Sequence, residues 1–332
     1  MFDGKKVLIT GGTGSLGNAL TRRLLETDVD TIRIYSRNEY QQIQMQSRFN
    51  DKRLRFFIGD IRDKERLYRA LEDVNIVIHA AALKHVPVAE YNPFEAVKTN
   101  VNGAQNLIEG CLDQNVELAL AVGTDKAVSP FNTYGATKFL MERLFISANF
   151  YKGKHNVKFL CTRYGNVLGS SGSVVPLFVE QIMTRKKITI TDESMTRFTI
   201  TMDQALDLIL RSIKNGTGGE VFVPKLPAYR VGDLKESIME LMKSNAETQS
   251  IPVRPGEKYH ESLISRDEIR NTYETKEDYV IFEPQTQNHD FTDNAHIVKT
   301  SRTDEYSSDK VPLLKKDEIK KILEKERIIP VK

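Results

Sequence analysis

The chain has 332 residues, enough for one large or two modest domains around a sizeable core. Its 40% apolar and 28% charged residues are ordinary for a soluble globular protein, and 48 basic against 45 acidic residues leave a formal charge of +3. That near balance excludes a broad nucleic-acid footprint, and no run approaches the ~18 apolar residues of a membrane span, so neither partner is expected.

The N-terminus enters a strand-like run without the charged and apolar regions of a signal peptide, which predicts a cytoplasmic location. Val7-Leu8-Ile9-Thr10 is short, apolar and ends in glycines, as a buried strand does. Gly11-Gly12-Thr13-Gly14-Ser15-Leu16-Gly17 follows, and then the helical pattern Ala19-Leu20…Leu24-Leu25. Spaced as Gly11-x-x-Gly14-x-x-Gly17, the glycines allow a tight turn, close approach of backbone to a pyrophosphate, and close packing of helix on strand. The phosphates then lie at a helix N-terminus, where free N–H groups and the helix dipole favour anions. A glycine-rich hairpin would have the same composition, but the strand before and the helix after favour a dinucleotide site.

A second strand, Thr31-Ile32-Arg33-Ile34-Tyr35, ends in Ser36-Arg37. NAD-preferring domains usually carry an acidic residue near this point to hold the ribose 2′-hydroxyl. A hydroxyl and a guanidinium suit a 2′-phosphate instead, so NADP is the expected cofactor, although Glu39 lies close by. Arg55–Asp63 and Val74–Ala82 each read as a strand running into a loop at the cofactor edge. Asp60, followed by Ile61, is placed to meet the adenine amino group, and small Ala80-Ala81 lets the backbone approach the cofactor. Alternating strands and helices continue through Glu117–Val122, which predicts a Rossmann-like, doubly wound parallel α/β sheet.

The segment after that strand, Gly123–Lys138, therefore stands at the ligand edge of the sheet. It holds Tyr134-x-x-x-Lys138, which share one face if a helix opens after Phe131. An ammonium beside a phenol lowers a pKa that is about 10 unperturbed, and the phenolate can then exchange a proton with a sugar hydroxyl. Such pairs also arise by chance on exposed helices; the dinucleotide site is what gives this one weight. Asp125 and Lys126 add a second acid–base pair, more than an alcohol oxidation needs. Cys111 and Cys161 sit in apolar surroundings as core thiols with no metal spacing, His85 stands alone, and no metal is expected.

Thr10–Gly17, Tyr134-Gly135-Ala136-Thr137-Lys138 and the chain length together resemble an extended short-chain dehydrogenase/reductase. Within that superfamily, His79–Pro87, Thr124-Asp125-Lys126-Ala127, Arg163–Val174, Met195–Phe198 and Arg254–Glu261 resemble the inverting UDP-N-acetylglucosamine 4,6-dehydratases that open pseudaminic acid synthesis. The likeness covers about residues 1 to 265, and it departs at Gly123, where serine is more usual. It implies NADP held by Gly11, Thr13, Gly14, Ser15, Leu16, Gly17, Ser36, Arg37, Asp60, Ile61, Ala80, Ala81, Tyr134, Lys138 and Val167. It implies sugar-nucleotide contacts from Lys84, Asn166, Arg197, Arg254 and Glu257, and a homo-oligomer. Read without the likeness, Arg254 would be a surface charge in a turn, and Arg197 would pair equally well with Asp192 or Glu193.

The implied chemistry is loss of water across C4, C5 and C6 of UDP-N-acetylglucosamine. Tyr134, its pKa lowered by Lys138, takes the C4 hydroxyl proton while hydride passes to NADP+. Lys126, once neutral, removes the C5 proton, Asp125 protonates the departing C6 hydroxyl, and Thr124 bonds the sugar. The hydride returns to C6, and reprotonation from the opposite face inverts C5. A 4-epimerase needs only the Tyr and Lys, and a non-catalytic NADP-binding regulator commonly loses one of them; both are the alternatives to weigh.

Beyond residue 165 the alternation loosens and becomes rich in Gly and Ser, which predicts a smaller, discontinuous substrate domain over 166–290. Segments near 190–225 return to the first domain (1–165), notably Glu220–Pro224. Residues 291–332 read as a polar region closed by a helix near Lys315–Glu326, with a narrow Ile319/Ile322/Leu323 stripe for packing or for an oligomer contact.

Overall fold

Apolar runs without alternation suit strands that are covered on both faces, and the first half of the chain folds in that way. The computed structural model describes residues 1–283 and 297–329; Gln285-Thr286-Gln287-Asn288 and the expected boundary at 290/291 lie outside them. In chain order the first half runs β1 (Lys6–Thr10), α1 (Ser15–Leu25), β2 (Thr31–Ser36), α2 (Glu39–Phe49), β3 (Leu54–Ile58), α3 (Lys64–Leu71) and β4 (Ile76–His79). It continues through α4 (Val86–Tyr91), α5 (Pro93–Val97), a π-helical turn at Lys98–Asn102, and α6 (Gly103–Asp113). Then come β5 (Leu118–Val122), a 3-10 turn at Asp125–Ala127, α7 (Thr133–Tyr151) and β6 (Lys158–Thr162).

These strands lie in the order β3-β2-β1-β4-β5-β6, all parallel. The order turns back between β1 and β4, and open α/β sheets bind ligands outside the carboxyl ends of the strands at such a switch point. The glycine turn after β1, Ala80-Ala81 after β4 and Thr124–Lys126 after β5 all stand at that edge.

The second half supplies β7 (Asn166–Val167), α8 (Val174–Met183), β8 (Ile188–Ile190), β9 (Thr196–Ile200), α9 (Met202–Asn215), β10 (Glu220–Pro224), β11 (Ala228–Arg230) and α10 (Val231–Leu241). It ends with β12 (Thr248–Ser250), β13 (Ser262–Ile264), β14 (Thr272–Glu274), β15 (Asp278–Phe282), β16 (Val298–Lys299), β17 (Tyr306–Ser307) and α11 (Lys316–Lys325). β10 joins β6 in parallel, and β15, β14 and β16 then extend the sheet antiparallel, to ten strands among the described residues. β7, β9 and β11 form a separate small sheet, β8 pairs with β12, and β13 with β17.

A large core lies between the main sheet and its helices, and a second fills the space among α8, α10 and α11. Ile319 and Leu323 of α11 are buried there, each worth roughly 1.5–3 kcal/mol of apolar burial, so the last helix packs on α10. Lys316–Glu236 and Lys320–Glu240 ion pairs flank that contact. Arg163, just past β6, ties the two halves: its buried guanidinium is shared between Glu142 of α7 and Glu268.

Candidate active site

The glycine turn is shaped by contact. Gly11 has φ +65, and a Cβ on it would stand 2.8 Å from the Ala81 nitrogen, so the turn lies directly against the backbone after β4. A Cβ on Gly17 would run into the Gly12 carbonyl, which fixes how closely α1 follows the turn. α1 follows the N-cap residue Gly14, with no side-chain cap and no acidic residue in its first turn, so its leading N–H groups are left for an anion. The Thr13 carbonyl is held by Asn18 at 2.8 Å, and Leu16 packs on the core. Ser15 Oγ lies 2.9 Å from Ser171 Oγ, and Lys84 donates to the Ser171 carbonyl at 2.5 Å, so the loop after β7 bridges the glycine turn and the loop after β4.

Farther along the edge, Ser36 is buried against the Gln42 amide, Ile61 packs beside Gly103, and Arg37 is exposed, 3.7 Å from Asp60. Asp60 is held by Arg62, whose guanidinium donates to both of its carboxylate oxygens. Ala80 N–H bonds the Thr10 carbonyl and Ala81 N–H the Thr10 hydroxyl, while Val167 pairs with Ile200 at the start of the small sheet. A turn packed on backbone and an uncapped helix start fit a dinucleotide.

The Gly123–Lys138 stretch is a strand end, a tight turn and a helix start. Gly123 donates to the Thr162 carbonyl at 2.7 Å, and a Cβ there would collide with that oxygen. In this chain the ends of β5 and β6 approach too closely at Gly123 for a side chain. Thr124 caps the following turn and its hydroxyl donates to Asp125 Oδ1 at 2.9 Å. Lys126 Nζ lies 3.0 Å from the same oxygen and 3.3 Å from Glu261 Oε1. Tyr134 stands at the start of α7, capped by Asn132, with its hydroxyl near Thr124.

Two details differ from the sequence reading. Lys138 does not reach the Tyr134 hydroxyl: its ammonium donates to the Val122 carbonyl at 2.6 Å and lies 3.0 Å from Met141 Sδ. Burial lowers Lys138 to about 8. Burial also pushes the Tyr134 phenol up to about 12, against the opposing charge of Lys126 and the nearby Thr124 hydroxyl. Lys126 is the second difference. Burial alone would strip its charge, but the carboxylates of Asp125 and Glu261 outweigh burial and hold it charged, above the usual lysine range.

Arg197, from β9, is buried; it donates to the Thr196 and Tyr259 carbonyls at 2.8 and 2.9 Å and pairs with Glu257 at 3.4 Å. Asp192 instead accepts from Ser194, and Glu193 pairs with Lys235. Asn166 lies beside the wholly buried Tyr229. Arg254 is exposed, and its backbone carbonyl accepts from Glu257 N–H. The structure therefore gathers Thr124, Asp125, Lys126 and Tyr134 with Arg197 nearby, and leaves Arg254 at the surface. Glu261 and Tyr229 were not singled out from sequence, because neither has a motif spacing to the residues it meets. Among the described residues no cluster of His, Cys, Asp or Glu is placed to hold a metal, and no helix is long and apolar enough to cross a membrane.

Residues 7–283 match the family described as polysaccharide biosynthesis protein. A UDP-N-acetylglucosamine 4,6-dehydratase (inverting) of Campylobacter jejuni is 46% identical over 321 residues, 94% of this chain and 95% of that one. A UDP-glucose 4-epimerase of Rickettsia rickettsii is 38% identical over 97% of this chain and 96% of its own length. The X-ray structure of Pen from Bacillus thuringiensis superposes with a TM-score of 0.93 at 38% identity, covering 99% of this chain and all of that one. The chain thus belongs to the polysaccharide biosynthesis protein family, with the fold of the extended short-chain dehydrogenases/reductases.

Proposed function

We propose that this protein is an inverting UDP-N-acetylglucosamine 4,6-dehydratase, a hydro-lyase giving UDP-2-acetamido-2,6-dideoxy-β-L-arabino-hex-4-ulose. The observation that carries the reading is the Asp125–Lys126 pair, 3.0 Å apart at a strand end, beside Tyr134. Removing a C5 proton and expelling a C6 hydroxyl needs a base and an acid in addition to the group that handles the C4 hydroxyl. The Campylobacter relative supports the same substrate.

Tyr134 takes the C4 hydroxyl proton, with Thr124 orienting both. The resulting C4 ketone acidifies the C5 hydrogen; Lys126, in its neutral form, removes it, and Asp125, in its protonated form, protonates the C6 oxygen as water leaves. When bound, an oxidised nicotinamide supplies the hydride acceptor at C4, the hydride returned to C6, and a positive charge that eases ionisation of Tyr134. The glycine turn, the start of α1, Ala80-Ala81 and Lys138 would hold it, and Ser36 with Arg37 favours NADP over NAD. Arg197, Glu257, Asn166 and Lys84 are the proposed sugar-nucleotide contacts, with Arg254 reaching the diphosphate from the rim. The segments around α8, α10 and α11 act as the substrate domain. Exposed apolar side chains on α4 and α5 support a homo-oligomer.

The 4-epimerase is the second reading, because a relative of that name covers nearly the whole chain. An NMR time course with UDP-N-acetylglucosamine in heavy water separates the two. The 4-keto-6-deoxy product with deuterium at C5 and the L-arabino configuration is expected. A C4 epimer formed without loss of water would replace the dehydratase by the epimerase.

A further inference from the structure

Glu261 lies just before β13, far along the chain from the catalytic stretch, yet its side chain is buried against it. Its position is fixed from the backbone: its N–H donates to Ser308 Oγ at 3.0 Å, and its carbonyl accepts from Ser308 N–H at 2.8 Å. One carboxylate oxygen stands 3.3 Å from Lys126 Nζ. The other is buried and has no hydrogen-bond partner among the described residues, and the same holds for Asp125 Oδ2. One ammonium is thus shared by two buried carboxylates from different parts of the fold, and each keeps an acceptor unused. A buried carboxylate with an open oxygen is costly, and a site that binds hydroxyl-rich ligands has a reason to retain it.

We infer that Glu261 is a positioning residue for the proposed dehydration: it fixes the Lys126 ammonium beside Asp125 and sets the proton affinity of the C5 base. The inference rests on the dehydratase reading. The charged and titratable groups around Lys126 are Asp125 on its own turn, Glu261 before β13, Arg197 on β9, Tyr134 on α7 and Tyr229 on β11. Asp125 and Glu261 raise its proton affinity, while Arg197 and burial lower it. Removing one carboxylate at this range moves the balance by about one pH unit or more.

The test follows a step that depends on Lys126 alone. The isolated 4-keto-6-deoxy product is incubated with protein in heavy water, and deuterium entry at C5 is followed by NMR across a pH series. Neutral Lys126 drives this exchange without oxidation at C4, and Lys126→Met gives the background rate. In the wild type, exchange should climb without a plateau up to pH 10, since lysine held by two carboxylates titrates above the ordinary ~10.4. In Glu261→Gln the rising limb should move down by about one unit or more, making exchange at pH 7 about tenfold faster than wild type. Glu261→Asp, which keeps the charge, should stay close to the wild-type profile. A wild-type plateau well below pH 10 overturns the inference, and so does a Glu261→Gln profile that is merely lower. An equal shift in the Gln and Asp variants overturns it too, because charge would not be the cause. If wild-type protein forms no 4-keto-6-deoxy sugar, the dehydratase reading fails first and the inference with it.

Discussion

Tyr134 and Lys138 are one helical turn apart on α7, yet their polar ends have different surroundings: the phenol lies near Thr124, and the ammonium donates to the Val122 carbonyl. Tyr134→Phe should lower kcat for product formation by about 10²–10⁴-fold, the range for losing a general acid–base group, with KM within a few-fold. A rate within twofold of wild type would remove Tyr134 from the chemistry. Lys138 offers a second test, of stability. Its folded pKa, about 8, is below the 10.5 of a free lysine, so between those values the unfolded chain binds more protons. Stability contributed by this residue therefore rises with pH through that window and is lost as pH falls toward 8. Comparing wild type with Lys138→Met in denaturant at pH 7.5 and again at pH 10 should favour wild type at the higher pH by up to about 3 kcal/mol. An unchanged difference would mean that Lys138 is not depressed.

At the scale of elements, the glycines after β1 are not equivalent. Gly17→Ala should cost a few degrees in melting temperature or more, because its Cβ meets the Gly12 carbonyl, a backbone atom that cannot swing aside. Gly14→Ala, whose Cβ meets only the Gly11 carbonyl at 3.3 Å, should melt close to wild type. Melting curves of the two proteins check the contrast, and equal losses would refute it. This turn was legible in the sequence because its chemistry is local: strand, glycines and helix are contiguous. The Thr124–Lys138 stretch was legible for the same reason. What sequence does not carry is which remote residue fills the last place in a cluster. Glu261 meets Lys126 only because β13 and β17 hold it there, and β14 and β16 become strands only through the neighbours they pair with. The partners of the two lysines were equally out of reach, since spacing along α7 puts Lys138 near Tyr134 but does not say where its long side chain ends.

For the whole molecule, large apolar side chains stand in water along α4 and α5: Tyr91 is 88% exposed and Phe94 79%. α7 packs beside them and leaves Phe139 and Leu140 partly exposed as well. Clusters of this kind mark interaction surfaces, which is the basis for expecting a homo-oligomer. Tyr91→Glu with Phe94→Glu should reduce the mass measured by light scattering to that of a smaller species; an unchanged mass would place the contact elsewhere. The buried Arg163 has a different consequence, for the order in which the protein is made. Glu142 leaves the ribosome before Arg163, but β10, which covers the edge of β6, follows roughly sixty residues later, and Glu268 with the strands beyond β10 about a hundred residues later. Until each arrives, β6 has an open edge and a guanidinium with half of its counter-charge, both hazards for a nascent chain. Residues 1–165 expressed alone should therefore aggregate despite holding the glycine turn, Tyr134 and Lys138, and a soluble, cooperatively melting fragment would show that the first half closes without the last.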